Sequence, residues 1–97
     1  MNKHLSWIST PGHGYLAVRG DKANALACST GYDYESRHDT DLVLLEEDIS
    51  AGIYLAKFTT EEERGEIVTY HRNGMPNGLR SIPAGSIGAE YLKGKGW

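Results

Sequence analysis

A single cysteine, Cys28, in 97 residues excludes the intramolecular disulfide framework on which many small secreted domains depend. Long apolar runs are missing too. The longest uncharged ones, Leu42-Val43-Leu44-Leu45 and Ala51 to Ala56, fall far short of the ~20 residues a membrane helix needs. The first residues, Met1-Asn2-Lys3-His4-Leu5-Ser6-Trp7, lack a basic segment followed by a continuous apolar stretch, the pattern of a secretory signal. These absences predict a chain that spans no membrane and works in a reducing cytoplasm. No Walker-type loop is present, and Gly12-His13-Gly14 lacks the later glycine of the dinucleotide fingerprint. Neither paired cysteines nor a His-Glu-x-x-His motif offers a metal centre. The expectation is therefore no cofactor and no metal.

What is present is the composition of a folding chain, 39% apolar and 24% charged, of a length that supports one hydrophobic core, so residues 1–97 are expected to form a single domain. Its net charge of −3 hides a division. Between residues 33 and 66 lie eleven acidic side chains against three basic ones, a local charge of −8, and the rest of the chain carries +5. Local charge, more than the total, sets the field a partner meets. A solvated acidic face that only confers solubility accounts for the same residues.

Alternation over His4 to Ser9 predicts a first strand, with Leu5 and Trp7 on one face and Ser6 and Ile8 on the other. Thr10-Pro11-Gly12-His13-Gly14 reads as a tight turn, and Tyr15 to Val18 as the returning strand of a hairpin. Asp21 is placed to cap a short helix running to about Cys28, and Ser29 to Thr40 reads as a polar loop anchored by Tyr32 and Tyr34. Asp41 to Glu46 fits a buried strand. Asp48 then reads as the cap of a helix over Ile49 to about Phe58, with Ile49, Ile53 and Ala56 on one face; a strand at Ile53 to Phe58 is the alternative. Thr60 and Glu63 match a capping box for about one turn. Glu66 to His71 is β-branched and strand-like, Asn73-Gly74 signals a turn, and Leu79 to Ile82 is expected to return as its partner. Residues 85–97 hold four glycines and read as a loose end anchored by Tyr91, Leu92 and Trp97. The sum is an α+β domain, a small antiparallel sheet with one or two short helices in the approximate order ββαβαββ.

Several residues invite a chemical reading. His13, between two glycines, can exchange a proton near neutral pH, and it is the centre of an enzymatic alternative, a small hydrolase or metal-dependent enzyme with Asp39 or Glu47 orienting it. A histidine that caps a hairpin carbonyl explains the same position. His38, Asp39 and Asp41 with His13 or His71 would make a metal set only by converging in space. Glu46-Glu47-Asp48 offers carboxylates for acid/base work, but adjacent residues of a strand face opposite ways, and a strand end followed by a helix cap explains the same letters. Cys28 needs a nearby base to act as a nucleophile and reads as a buried small residue at a helix end. Arg72, Arg80, Lys93 and Lys95 lie among Tyr70, Tyr91 and Trp97, yet a pI of 5.7 argues against direct nucleic-acid binding.

The run Trp7-Ile8-Ser9-Thr10-Pro11-Gly12-His13-Gly14-Tyr15-Leu16, followed about thirty residues later by Leu45-Glu46-Glu47-Asp48, resembles a family of small uncharacterised domains of phages, prophages and other bacterial mobile elements. The likeness covers roughly the first half of the chain. That family has no assigned reaction, so the resemblance implies a setting and no catalytic roles. In such a setting, compact proteins cover functional surfaces of host proteins. The expectation is a binding module that inhibits a host defence complex, such as a nucleic-acid-binding CRISPR effector, through Tyr32, Tyr34, Asp39, Asp41, Glu46, Glu47, Glu61, Glu62 and Glu63. An acidic segment can occupy a channel built for phosphates. Self-association through the strands is a third reading.

Overall fold

The computed structural model describes residues 3–96; Met1, Asn2 and the proposed anchor Trp97 lie outside the described residues. Along the chain come β1 (His4–Thr10), β2 (His13–Arg19), α1 (Lys22–Ala27), β3 (Asp33–Ser36), β4 (Val43–Glu46), α2 (Ser50–Phe58), α3 (Glu61–Gly65), β5 (Val68–His71), β6 (Leu79–Ile82) and α4 (Ser86–Gly94). The strands make one sheet in the order β5-β1-β2-β4-β3-β6, antiparallel except for β1 beside β5. This is an α+β domain. Its order departs from ββαβαββ by an extra strand, β3, and by α3 and α4. No helix among the described residues is long and apolar enough to cross a membrane.

β1 and β2 form the expected hairpin, closed by the two-residue connection Pro11-Gly12 between the paired Thr10 and His13. Gly12 sits at φ +90°, a region costly for any residue with a Cβ, and proline before it supplies the complementary fixed φ of a tight turn. His13 therefore belongs to the strand and not to the turn. The period of two sorts the sheet into two faces. Leu16 and Val18 of β2, Val43 and Leu45 of β4 and Ile82 of β6 pack on one side with Ala25, Cys28, Ala51, Ile53 and Tyr54 from α1 and α2. Ile8, Tyr15, Ala17, Leu42 and Leu44 form a second cluster on the opposite side, where no helix of the described residues packs against them and Tyr34, Met75 and Leu79 are their partly buried neighbours. Tyr15, Ala17 and Leu44 are themselves buried there.

Met75 comes from the connection between β5 and β6, and here the expected hairpin is overturned. The two strands lie on opposite edges of the sheet. β5 pairs with β1 in parallel and β6 with β3, so residues 72–78 run diagonally across the second face. The Arg72 N–H bonds to the Ser9 carbonyl at one end (2.8 Å), and the Arg37 N–H to the Gly78 carbonyl at the other (2.8 Å). Asn73-Gly74 thus bends a strap instead of a hairpin.

Two helix expectations also change. Asp48 does not cap α2: the N-cap is Ile49, whose N–H bonds to Glu46 Oε1 (2.9 Å). The buried residues of α2 are Ser50, Ala51, Ile53 and Tyr54; Ile49, Ile53 and Ala56 share the side that lines a groove beside Ile87 and Tyr91 of α4, and Ala56 is exposed there. Asp21 is the N-cap of α1, but its carboxylate accepts from Asn24 Nδ2 (3.0 Å) and Tyr54 Oη (2.7 Å) and not from a helix N–H. The capping box of Thr60 and Glu63 is present in both directions, 3.1 and 2.8 Å.

Within the described part of residues 85–97, Ser86–Gly94 forms α4. The glycines there permit close packing: a Cβ on Gly88 would collide with the Ser29 carbonyl, and one on Gly85 with that of Leu26. The Gly85 N–H bonds to the Ser29 carbonyl at 2.9 Å, which docks the start of α4 on the end of α1.

Candidate functional site

Asp33 organises one corner of the sheet. Fully buried, it accepts from Ser29 Oγ (2.8 Å), the Thr30 N–H (3.0 Å) and Ser50 Oγ (2.8 Å) through Oδ2, and from the Glu46 N–H (2.7 Å) through Oδ1. Thr30 Oγ1 and Ser50 Oγ are also bonded, at 2.8 Å. Four donors hold this carboxyl, with no ion pair to it among the described residues, and buried groups so satisfied fix geometry. The loop after α1, the end of β4 and the start of α2 are tied together at one carboxylate. Asp33 therefore leaves the acidic surface to which its sequence position assigns it.

The side chains around this hub turn toward the helix-free face. Tyr34 follows Asp33 with the opposite orientation, opposite Leu44 in β4 and Ser81 in β6. Glu46 pairs with Tyr15 across the β2–β4 ladder. His13, Tyr15, Gly31, Tyr32, Tyr34, Glu46, Asp48 and Ser81 line a cleft of about 440 Å³. Tyr15 and Tyr34 meet edge to face, ring centroids 6.0 Å apart at 65°, and His13 is tilted 41° to Tyr15 at 6.3 Å. Tyr32 is 69% exposed at the rim and Tyr15 only 7% exposed. Burial, followed by the charges of Tyr34, Glu46 and Asp33, raises the Tyr15 phenol above its usual 10.0, so it remains protonated in neutral solution.

Of the sequence candidates, the fold brings His13, Tyr32, Tyr34 and Glu46 together and scatters the others. Glu47 takes the opposite side of the chain, its carboxylate against the Cα of Gly14, where a Cβ would collide with it. Asp39 and Asp41 lie beyond the other end of β2, six residues along the strand from His13. There Asp39 pairs with Arg19 (2.9 Å), which holds its carboxyl below the usual range, and Asp41 Oδ2 accepts from the Gly20 N–H (2.8 Å). Glu61, Glu62 and Glu63 belong to α3. Glu63 is used by the capping box and lies 3.6 Å from Lys3; its bonds to Thr60 come first in lowering its pKa. Glu46 thus lies in the cleft, Glu47 on the opposite side of the chain, Asp39 and Asp41 beyond the far end of β2, and Glu61, Glu62 and Glu63 on α3.

The fold does not bring Asp39 or Glu47 to His13. Asp39 is at the far end of the sheet, Glu47 faces away, and the His13 imidazole makes no side-chain hydrogen bond among the described residues. His38 is against Gly78 on the strap, and no group of three or more His, Cys, Asp or Glu converges among the described residues. Cys28 is fully buried at the end of α1. Sequence reading misses Tyr15 and Ser81 as cleft residues and gives Asp48 a capping role. The legible signal for Tyr15 is its parity with His13 on β2.

The chain matches no family model, no curated protein and no solved structure.

Proposed function

We propose that the chain is a non-enzymatic binding protein of a bacterial mobile element, acting in the cytoplasm, which inhibits a defence complex by covering a basic surface of a nucleic-acid-binding effector. The observation that carries this reading is the cleft. Three tyrosines and two carboxylates gather at one corner of a sheet face over which no helix packs. Tyr70 and Val68 of β5 extend the same face, 50% and 56% exposed. Tyrosine supplies large contact area at low entropic cost, and carboxylates beside it favour a cationic partner. The Trp7 to Leu16 motif supports the mobile-element setting.

The test is capture of tagged protein on lysates of bacteria carrying active CRISPR systems, washed at rising salt. Charge reversal of the cleft, Glu46→Lys with Asp48→Lys, is expected to weaken retention of a stoichiometric partner more than about tenfold and to flatten its salt dependence. Reversal on α3, Glu61→Lys with Glu62→Lys, is expected to leave retention within about threefold, since those residues are remote from the cleft. Equal retention of both variants sinks the proposal.

A further inference from the structure

We infer that the corner cleft is a receptor for a guanidinium group, the side chain of an arginine on the partner's surface. This rests on the reading of the protein as a binder of a basic protein surface, and three observations give the cleft its ligand chemistry.

The first is an unpaired phenol. Tyr15 is more than nine-tenths buried and lines the cleft, and its hydroxyl makes no hydrogen bond among the described residues. No side-chain N or O of the described residues is at once buried and unpartnered, so the Tyr15 oxygen is reached from the cleft. A nearly buried residue with its one polar atom open to a cavity leaves a hydrogen-bond requirement for whatever enters.

The second is uncompensated charge. Several acids elsewhere are ion-paired: Asp39 with Arg19, Glu35 with Lys22 (3.3 Å) and Arg80 (3.4 Å), Glu63 with Lys3. Glu46 and Asp48 pair with no cation among the described residues. Glu46 is nonetheless held in place. Its backbone N–H is fixed by Asp33, and its Oε1 accepts from the Ile49 N–H, which leaves Oε2 for a ligand. Such a carboxylate is preorganised to receive a donor.

The third is shape. The rings of Tyr15 and Tyr34, set edge to face at 6.0 Å, offer aromatic walls beside the carboxylates, and Tyr32 stands at the rim. A guanidinium is planar, only donates, stacks on aromatic faces and can bridge two carboxylates; it also surrenders its water more readily than an ammonium. Its N–H groups would meet the Tyr15 oxygen, Glu46 and Asp48 together. An anion would be repelled, and an apolar group would leave all three polar atoms without partners.

The experiment titrates the full chain with Nα-acetyl-arginine methylamide and with the lysine analogue, followed by amide chemical shifts. Expected are saturable shifts at residues 13–15, 31–34, 46–48 and 81, half-complete at about 1–10 mM as suits one small cationic group, with arginine at least about fivefold tighter than lysine. Tyr15→Phe is expected to weaken arginine about three- to tenfold and Glu46→Gln or Asp48→Asn about tenfold. Asp48 is exposed, so Asp48→Asn remains informative if another variant unfolds. Absence of saturation at ~50 mM, equal binding of lysine, or wild-type binding by all three variants overturns the inference. A partner captured from lysate by a protein that ignores the arginine probe refutes the guanidinium site alone. Saturation of the cleft without any captured partner supports the site and refutes the inhibitory reading.

Discussion

Replacing Asp33 by Asn tests whether one carboxylate holds both the fold and the cleft. The amide keeps the shape of the side chain and one carbonyl oxygen. Turned so that this oxygen takes the place of Oδ2, it still receives Ser29, Thr30 and Ser50, but its NH2 group then faces the Glu46 N–H from 2.7 Å away, donor against donor. Turned the other way, the two hydroxyls can rotate to accept, yet the Thr30 N–H cannot. Either orientation strands a backbone donor in a buried site, at about 1–3 kcal/mol, and replaces charge-assisted bonds by neutral ones of roughly half the strength. Burying an amide instead of an anion offsets part of this. A net loss of about 2–3 kcal/mol remains, a large share of the stability of a small domain, and corresponds to a fall in Tm of about 10–20 °C for this chain length. Urea unfolding followed by circular dichroism measures it, with an unchanged m-value showing that the same surface is exposed. Hydrogen exchange at Glu46 should accelerate beyond the global change, because its N–H has lost its acceptor. A loss under about 1 kcal/mol with Glu46 protection intact would refute Asp33 as the organising residue.

Two further outcomes follow from the same packing. Burial, opposed by Lys57 and reinforced by Asp21 and Asp33, raises the Cys28 thiol from 9.0 to about 11. The unfolded thiol ionises first, so this group contributes a loss of stability as pH rises from about 9 to about 11; Cys28→Ala should reduce that loss in urea titrations, and native Cys28 should react with thiol reagents at pH 8 only at the rate of global opening. Gly88→Ala forces a Cβ into the Ser29 backbone carbonyl, which cannot swing aside as a side-chain tip can; about 1–3 kcal/mol is expected in urea unfolding, and a variant as stable as wild type would show that α4 is not docked there.

The parts of the fold legible in the sequence are those with local causes. The hairpin from His4 to Arg19 follows from alternation and Pro11-Gly12, the strand at Val43–Glu46 from four successive aliphatics, and the short α3 from Thr60 and Glu63. β3 is not legible, since Asp33-Tyr34-Glu35-Ser36 has no β-branched residue and reads as loop. Its extended form depends on contacts distant in sequence: Glu35 with Lys22 and Arg80, and ladders to β4 and β6. The separation of β5 from β6 is equally hidden. Asn73-Gly74 favours a bend, but whether a bend joins neighbouring strands or carries the chain across a sheet is decided by which edges remain free. At residues 85–94 glycine suggests freedom whereas its role is proximity, a distinction that needs the position of Ser29.

The site depends on the same hidden element. An acidic count over residues 33–66 treats every carboxylate alike, whereas the fold separates them. Asp33 is buried, Asp39 and Glu35 are ion-paired, Glu63 caps a helix, and Glu46 and Asp48 face a tyrosine cleft with no cation beside them among the described residues. What distinguishes the last two from the others is parity and the placement of β3. Glu46 shares its side of the sheet with Tyr15, and β3 brings Tyr34 to that side because Asp33 points away from it. A one-residue slip of β3 would send Tyr34 toward the helices and Asp33 into the cleft, exchanging a neutral aromatic wall for a third anion. The Asp33 network forbids that slip, so the interaction that stabilises this corner also determines which side chains a partner meets there.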